Sequence, residues 1–199
     1  MQVREGKADD LASVTDALVS AFHDDPVMLY IFDKPAGRDK KQRALFMSEA
    51  KRSLKKGALH TTADGPAKGG AIWMAPGQWK TGGLELLGQL PLMFSLGTAS
   101  PRALSLLSKM EKAHPTEPHW YLAILGTATE HQGKGVGSAL MEPILTKCDA
   151  EGIPAYLESS KESNIAFYNR HGFEVTGEVK TKDGPTLWPM WREPRPPDA

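Results

Sequence analysis

The chain has 199 residues, 40% of them hydrophobic, and its 24 basic residues balance 24 acidic ones. This length fits one ordinary domain with enough chain to bury a core, and the charge balance offers no global field for nucleic acid or an anionic membrane. We therefore expect neither as a partner. The single cysteine, Cys148, excludes an internal disulfide framework, and the first ten residues lack the apolar stretch of a secretory signal. Both features predict a cytoplasmic location.

The first predicted element is a helix near the start of the chain. Asp9 or Asp10 can cap its free amides, and apolar residues follow at helical spacing as far as Phe22. Pro26 disfavours helical backbone at Asp25, so we expect the helix to end before it.

A strongly basic helix, a hairpin and two further helices are predicted next. The hairpin consists of two strands joined by an Asp-Gly-Pro turn. The later pair of helices belongs to a segment, residues 77–118, that we expect on the substrate side of the molecule. The predicted bounds are 38–56 for the basic helix, 57–63 and 69–75 for the strands, and 82–96 and 100–113 for the later helices.

A buried strand followed by an amphipathic helix dominates the second half. The continuous apolar run at 119–127 predicts the strand. Apolar residues then fall on one helical face, which makes Cys148 a packed core thiol rather than a nucleophile, while Pro143 inside the helix predicts a kink. The residues on this face are Gly137, Leu140, Met141, Ile144, Leu145 and Cys148.

The last quarter predicts a strand at "PAYLESS", a short helix in "SNIAFYNRHGF" that ends at Gly172, and a closing hairpin. The hairpin strands are 173–180 and 185–192.

The segment "HQGKGVGSAL", residues 131–140, joins the buried strand to the amphipathic helix and contains three glycines and a lysine. A Walker A loop is excluded, because Ala128 stands where its first glycine is required and Gly135 follows Lys134 in place of Ser or Thr. A dinucleotide fingerprint is excluded because Ser138 replaces the third glycine of G-x-G-x-x-G.

The helix that follows this segment still offers a place for an anion. Amides of its first turn lack intrahelical partners and carry partial positive charge, and a pyrophosphate suits them. Gln132 can bond across the mouth of the loop, and Lys134 can add a point charge. A glycine-rich helix start without a ligand is the alternative.

Further motifs decide between these alternatives. Gln132-x-x-Gly135-x-Gly137 after a buried strand, then "YLESS", Asn164 and "FYNRHGF", resembles the coenzyme A motif of the GNAT superfamily of N-acetyltransferases. The resemblance is strong over 119–193 and looser over the whole chain. Within the superfamily, "HWYL", "PAYLESS" and the terminal "GPTLWPMWR" look most like the branch that contains puromycin N-acetyltransferase.

The resemblance implies a single domain, residues 1–199, with an acetyl-CoA-binding core at 119–193. It implies an α/β (α+β) fold with a mixed, mostly antiparallel sheet of six to seven strands, splayed between the cofactor strand and the next. It also implies that acetyl-CoA is held largely by main-chain groups. The residues expected to bind it are Leu125, Gly126, Thr127, Gln132, Gly133, Lys134, Gly135, Val136, Gly137, Ser138 and Asn164.

Two side chains are expected to transfer protons. The resemblance places Tyr168 at the position of the general acid that protonates the departing thiolate, and a plain buried tyrosine is the alternative. Glu158 is the leading candidate for the base, with a structural glutamate as its alternative, and His119 could relay a proton instead. The group His23, Asp24 and Asp25 could line the acceptor side or simply form a helix-end turn.

The sequence therefore predicts an acetyl-CoA-dependent N-acetyltransferase acting on a primary amine of a small molecule, such as an antibiotic or aminonucleoside. A catalytically silent acyl-CoA-binding sensor or partner module is the alternative. The six histidines have no metal-ligand spacing, so we expect no metal. A monomer and a homodimer both remain open.

Overall fold

A computed structural model describes residues 1–80, 100–181 and 183–195. The strands are β1 (Val3–Glu5), β2 (Gly57–Thr62), β3 (Gly69–Met74), β4 (Trp120–Thr127), β5 (Ala155–Ser159), β6 (Glu174–Val175), β7 (Val179–Lys180) and β8 (Thr186–Arg192). The helices are α1 (Leu11–Ala21), α2 (Pro26–Ile31), α3 (Arg38–Lys56), α4 (Ser100–Ala113), α5 (Val136–Glu151) and α6 (Ile165–Arg170). The helix predicted at 82–96 lies outside the described residues.

Within the described residues, eight strands form one sheet in the order β1-β2-β3-β4-β5-β8-β6, with β7 also paired to β8. Of these described strands only β4 and β5 run parallel to each other, and the other pairs are antiparallel. This confirms the predicted mixed, mostly antiparallel sheet. The number of strands is higher than predicted because residues 3–5 add an edge strand to β2. In addition, the predicted strand 173–180 is divided into β6 and β7.

The two parallel strands separate after a short paired stretch. β4 and β5 are in register only at Trp120 with Ala155 and Tyr121 with Tyr156. Beyond these pairs β4 continues to Thr127 along β3, and β5 continues along β8. The strands therefore open into a gap, as the splay prediction requires.

A bulge in β4 lies where the strand leaves β5. Ile72 of β3 pairs with Ile124 and Trp73 pairs with Leu122, so Ala123 is an extra residue on β4. Because a bulged strand bends and twists more strongly, this residue helps to direct β4 away from β5.

Alternate residues along the strands face opposite sides of the sheet and pack into two separate hydrophobic cores. Leu59, Ile72 and Met74 pack with α1 to α4 on one face. Ala71 and Trp73 pack with α5 and α6 on the other, where Cys148 is fully buried. The strand period of two therefore places the sheet between two helical layers.

The start of the first helix differs from the prediction. Asp10 does not cap α1 through its side chain. Its carboxylate instead accepts hydrogen bonds from the Lys7 amide and the Arg4 guanidinium, within a 3₁₀ turn that leads into α1.

A second helix, α2, was not predicted. Pro26 was interpreted only as the end of the first helix, yet it is also the first residue of α2, where proline is favoured because its missing N–H needs no partner. Asp25 caps α2, since its Oδ1 accepts from the amides of Val27 at 2.9 Å and Met28 at 3.0 Å.

The basic helix has its predicted bounds, and Pro143 lies inside α5 as its position in the sequence requires. Within the described ranges, no helix is long and apolar enough to cross a membrane.

Candidate active site

The loop between β4 and α5 is shaped by two glycines in the left-handed region. Gly133 has φ 72° and Gly135 has φ 78°, and a Cβ on either residue would meet nothing within 4 Å. These positions therefore need glycine for their backbone angle and not for space. Gly135 is also the N-cap of α5, and its carbonyl accepts from the Ala139 amide at 3.1 Å.

The first turn of α5 presents free amides at the end of this loop. Val136, Gly137 and Ser138 have no intrahelical acceptor for their N–H groups, and the helix dipole adds positive potential there. The side chain of Gln132 donates to the Thr127 carbonyl at 3.1 Å, which closes the mouth of the loop. Lys134 donates to the Glu130 carbonyl at 2.9 Å, which keeps its ammonium beside the loop.

A cavity of about 360 Å³ adjoins the loop on its β1–β3 side. Lys68 and Lys134 line it together with Asp64 and His131. Among the residues that line this cavity, the two lysine charges outnumber the single carboxylate of Asp64.

Gly126 in β4 serves the packing of α1. A Cβ at this position would lie 2.7 Å from Leu18 Cδ2 and 2.9 Å from both Ala21 Cβ and Phe22 Cε2. The absence of a side chain therefore lets α1 lie directly against the far end of β4. Leu125 and Thr127, on either side, are half-buried.

Ser138 connects the start of α5 to α6. Its hydroxyl lies 3.0 Å from His171 Nε2. The neighbouring Gly137 also packs closely on α6, because a Cβ added there would lie 3.3 Å from the ring of Phe167. The short helix that contains Tyr168 is thereby held close to the amides of the loop.

Tyr168 lies buried in α6, 9% exposed, with its ring against Phe167 and Phe173. No residue in the described ranges hydrogen-bonds its hydroxyl. Burial, followed by the negative charge of Asp25, raises the pKa of Tyr168. The phenol therefore keeps its proton at neutral pH.

Asn164 precedes α6 and is exposed. Its backbone amide donates to the Lys161 carbonyl at 3.1 Å, and its side chain makes no capping hydrogen bond. The side-chain amide is therefore available to a ligand.

Glu158 occupies β5 two residues beyond Tyr156, the last residue of that strand paired with β4. Its side chain is 2% exposed, and its Oε1 atom has no hydrogen-bond partner among the residues that the structure describes. Burying a carboxylate oxygen without a partner is costly. An orphaned oxygen beside the gap therefore suggests a functional role.

Two histidines accompany Glu158. His114 Nδ1 lies 3.6 Å from Glu158 Oε1, and His114 Nε2 lies 3.0 Å from His119 Nε2. His119 Nδ1 in turn lies 2.6 Å from the carbonyl oxygen of Glu117. We refer to His114, His119 and Glu158 as the buried His–Glu group.

Aromatic rings enclose this group. Trp79 stacks on His114 with ring centroids 3.6 Å apart, and Tyr121 and Tyr156 meet the same imidazole edge-on. Burial raises the pKa of both tyrosines and the charge of Glu158 raises it further. Both phenols therefore keep their protons at neutral pH.

The sequence did not predict four residues of this site, His114, Trp79, Tyr121 and Tyr156. The only signal for His114 was the close spacing of two histidines in "HPTEPHWY". Their proximity to Glu158 depends on the pairing of β4 with β5.

The group His23, Asp24 and Asp25 is structural in most of its contacts. Asp25 is buried and caps α2, and its Oδ2 also accepts from Ser160 Oγ at 2.5 Å. Asp24 pairs with Lys161 at 2.7 Å. These contacts fasten the α1–α2 turn to the end of β5, in agreement with the helix-end interpretation.

Cys148 is fully buried, and burial raises the pKa of its thiol to about 12. It is a core residue, as predicted. In the part of the chain that the structure describes, no group of three or more His, Cys, Asp or Glu residues is arranged to hold a metal ion.

The family profile of the acetyltransferase (GNAT) domain matches residues 111–193. An uncharacterised N-acetyltransferase of Schizosaccharomyces pombe is 31% identical over 185 residues, which cover 87% of this chain and 74% of that protein. The chain therefore belongs to the GNAT family of acetyltransferases.

Two further proteins are similar to this chain. A crystal structure described as histone acetyltransferase HPA2 and related acetyltransferase, from Corynebacterium glutamicum, is 28% identical with a TM-score of 0.73, covering 100% of this chain and 98% of that one. The 5-NmdU N-acetyltransferase of Pseudomonas phage PaMx11 is 32% identical over 74 residues, which cover 37% of this chain and 53% of that protein.

Proposed function

We propose that the protein transfers an acetyl group from acetyl-CoA to the primary amine of a small molecule. The observation that carries this proposal is the buried carboxylate oxygen of Glu158 at the gap between β4 and β5, which has no hydrogen-bond partner in the described part of the chain. The free amides of the α5 N-terminus support it, because they provide an anion site after the same strand, β4.

The residues fit acetyl-CoA, which supplies the activated acetyl group as a thioester. The amides of Gly133 to Ser138 would hold its pyrophosphate, with the ammonium of Lys134 nearby. Leu125 to Thr127 lie on the edge of β4 that β5 leaves unpaired, and their main-chain groups would receive the pantetheine arm and the acetyl carbonyl. The exposed Asn164 amide would contact the arm from α6.

Glu158 would act as the base. An alkyl amine is mostly protonated at neutral pH and needs an acceptor for its proton before it can attack. The N–C bond then forms and the C–S bond breaks, while β4 amides stabilise the oxyanion, a contribution of about 3 kcal/mol per donor in other enzymes.

Tyr168 would return a proton to the departing thiolate. Its raised pKa ensures that the proton is present at neutral pH. The same shift makes the transfer more uphill, because the thiol formed has a pKa of about 8.5. A direct hydrogen bond to the sulfur must therefore offset part of this difference.

Sequence motifs support the proposed class of acceptor. The motifs "HWYL", "PAYLESS" and "GPTLWPMWR" resemble the branch of puromycin N-acetyltransferase, which favours an aminonucleoside or an antibiotic amine, and the phage relative is also named for an N-acetyltransferase reaction. We further propose that the chain works as one cytoplasmic domain.

The test is thiol release from acetyl-CoA across a panel of small amines, with mass spectrometry of the products. We expect an amine that gains one acetyl group only when protein and acetyl-CoA are both present. Tight acetyl-CoA binding without turnover on any amine, peptide amines included, would contradict the proposal and favour a silent acyl-CoA-binding module.

A further inference from the structure

The buried His–Glu group has three side chains that can each bind a proton, whereas a single catalytic base needs only one. His114 follows α4, His119 precedes β4, and Glu158 lies on β5, so three separate segments converge on one row of atoms. The side chains of His114 and Glu158 are each 2% exposed, and His119 is buried as well. Solvent therefore does not determine which atoms of these side chains carry protons. Their hydrogen bonds within the protein determine it.

The hydrogen bonds fix the tautomers of both histidines. The Glu117 carbonyl can only accept, so His119 Nδ1 carries the proton in their 2.6 Å contact. Burial lowers the pKa of His119 to about 4, and the ring is neutral at pH 7. His119 Nε2 therefore accepts, and the proton in the 3.0 Å contact belongs to His114 Nε2.

This assignment leaves His114 Nδ1 without a proton. When the proton of His114 is on Nε2, the lone pair of His114 Nδ1 faces the Oε1 atom of Glu158. Their separation of 3.6 Å is longer than a hydrogen bond. One added proton converts the repulsion between them into a hydrogen bond.

The remaining groups that face the pair do not supply this proton. The tyrosines stay neutral because burial raises the pKa of each. Glu49 on α3 acts on the same cluster; burial raises its pKa, and the charge of Arg52 at 3.7 Å opposes this shift only in part. The titratable and charged groups around the pair within the described ranges are His119, Tyr121, Tyr156, Glu49 and Arg52.

We propose that Glu158 and His114 share the proton taken from the amine, and that His119 is a positioning residue that fixes the tautomer and orientation of His114. This proposal rests on the proposed function of Glu158 as the base. In the reaction, the amine nitrogen loses its proton to the Glu158 carboxylate, and that proton comes to lie between Glu158 and His114 Nδ1. The pair changes from a charge of −1 to neutral, and no other reactant is needed.

Sharing gives the captured proton a second acceptor besides Glu158. The lone pair of His114 Nδ1 and the carboxylate repel each other without the proton, and a hydrogen bond joins them with it. A base that can hold the captured proton in such a hydrogen bond suits the deprotonation of an amine.

The first experiment is histidine ¹⁵N NMR on the full chain between pH 5 and pH 8, which requires no turnover. We expect His119 to remain the Nδ1–H tautomer throughout and His114 Nδ1 to titrate. In Glu158→Gln the His114 titration should move to lower pH, because the shared proton loses its carboxylate. An Nε2–H tautomer of His119, or an unchanged His114 titration in Glu158→Gln, would overturn the proposal even if the protein is an active acetyltransferase.

The second experiment measures the pH profile of kcat in His114→Phe, which keeps an aromatic ring against Trp79. We expect kcat to fall about 100-fold, with the acidic limb of the profile at lower pH than in wild type. His60→Phe removes another buried histidine, on β2, and should leave that limb in place. If the acidic limb of the pH profile stayed at its wild-type position in His114→Phe, the shared proton would be contradicted. If the wild-type protein acetylated no amine, the proposed function itself would be contradicted.

Discussion

The glycine loop at 132–138 and the buried His–Glu group lie on either side of the divergence of β4 from β5, and they are built in opposite ways. The loop is exposed, acts through backbone amides, and needs Gly133 and Gly135 only for their φ angles. The His–Glu group is buried, acts through side chains, and depends on three segments of the chain.

This difference suggests a division of labour. A backbone site tolerates changes of side chain but not of φ, because its donors are amides fixed by the chain path. A buried side-chain site tolerates neither loss of a charge nor loss of a partner, because each unpaired group is costly. Substitutions in the two regions should therefore affect different kinetic constants.

The largest effect is expected from Glu158→Gln. Glutamine keeps the size of the side chain but cannot accept the amine proton, so kcat should fall about 1,000-fold. The dissociation constant of acetyl-CoA, measured by isothermal titration calorimetry, should change little. A variant with near wild-type kcat would remove Glu158 from the role of base.

Tyr168→Phe should have the next largest effect. It removes only the hydroxyl, so the packing against Phe167 and Phe173 remains, and kcat should fall about 100-fold. Tyr30→Phe is the matched control, since Tyr30 contacts Arg102 and lies apart from α6. Equal turnover by the Tyr168→Phe enzyme and the control would show that Tyr168 is a packing residue.

Gly135→Ala tests the backbone site. The left-handed φ of 78° costs alanine about 1 kcal/mol, and relaxation of the loop should weaken acetyl-CoA binding about tenfold. Gly152→Ala, at φ 67° at the other end of α5, introduces the same strain far from the loop. Both variants should lose similar thermal stability, and only the first should bind acetyl-CoA more weakly. Equal binding by the two would refute the loop as the donor site.

The smallest effect is on the stability of the fold and concerns the Arg4–Asp10 ion pair. It distinguishes the effect of acid on stability from the effect of acid on turnover. The hydrogen bond from Arg4 is the main cause that lowers the pKa of Asp10 to about 2. Because the folded-state pKa is depressed, the stabilisation is complete above the unfolded pKa near 4 and disappears as the pH falls through about 2.

Asp10→Asn should therefore reduce the free energy of unfolding by about 1 kcal/mol or less at pH 7, since Arg4 is partly exposed. The difference from wild type, measured by urea unfolding, should be much smaller at pH 2 than at pH 7. A difference as large at pH 2 as at pH 7 would mean that the carboxylate charge is not its cause. Between pH 5 and pH 8 this pair stays charged, so it cannot produce the acidic limb of the rate profile.

The two regions also differ in how far the sequence predicts them. The glycine loop is local: a buried strand, glycines at fixed spacing and an apolar helix face are contiguous in the chain, so the strand, the loop and α5 were predicted within a residue or two. The mixed, mostly antiparallel sheet and its splay came from the resemblance to the GNAT superfamily, and the observed strand pairing confirms them.

Non-local features were missed for physical reasons. His114 meets Glu158 only because β4 pairs with β5, and no periodicity in either segment encodes that distance. The helix α2 was missed because Asp25-Pro26 is both a stop signal for one helix and a start signal for the next. Edge strand β1 is three residues long and gains its partners only from β2.

The most direct test of this division of labour measures two constants, the acetyl-CoA dissociation constant and kcat at saturating acetyl-CoA, on Gly135→Ala and Glu158→Gln. The account predicts that Gly135→Ala weakens binding and retains most of kcat, whereas Glu158→Gln retains binding and loses kcat. If either variant changed both constants by the same factor, the two regions would not act separately and the account would be wrong.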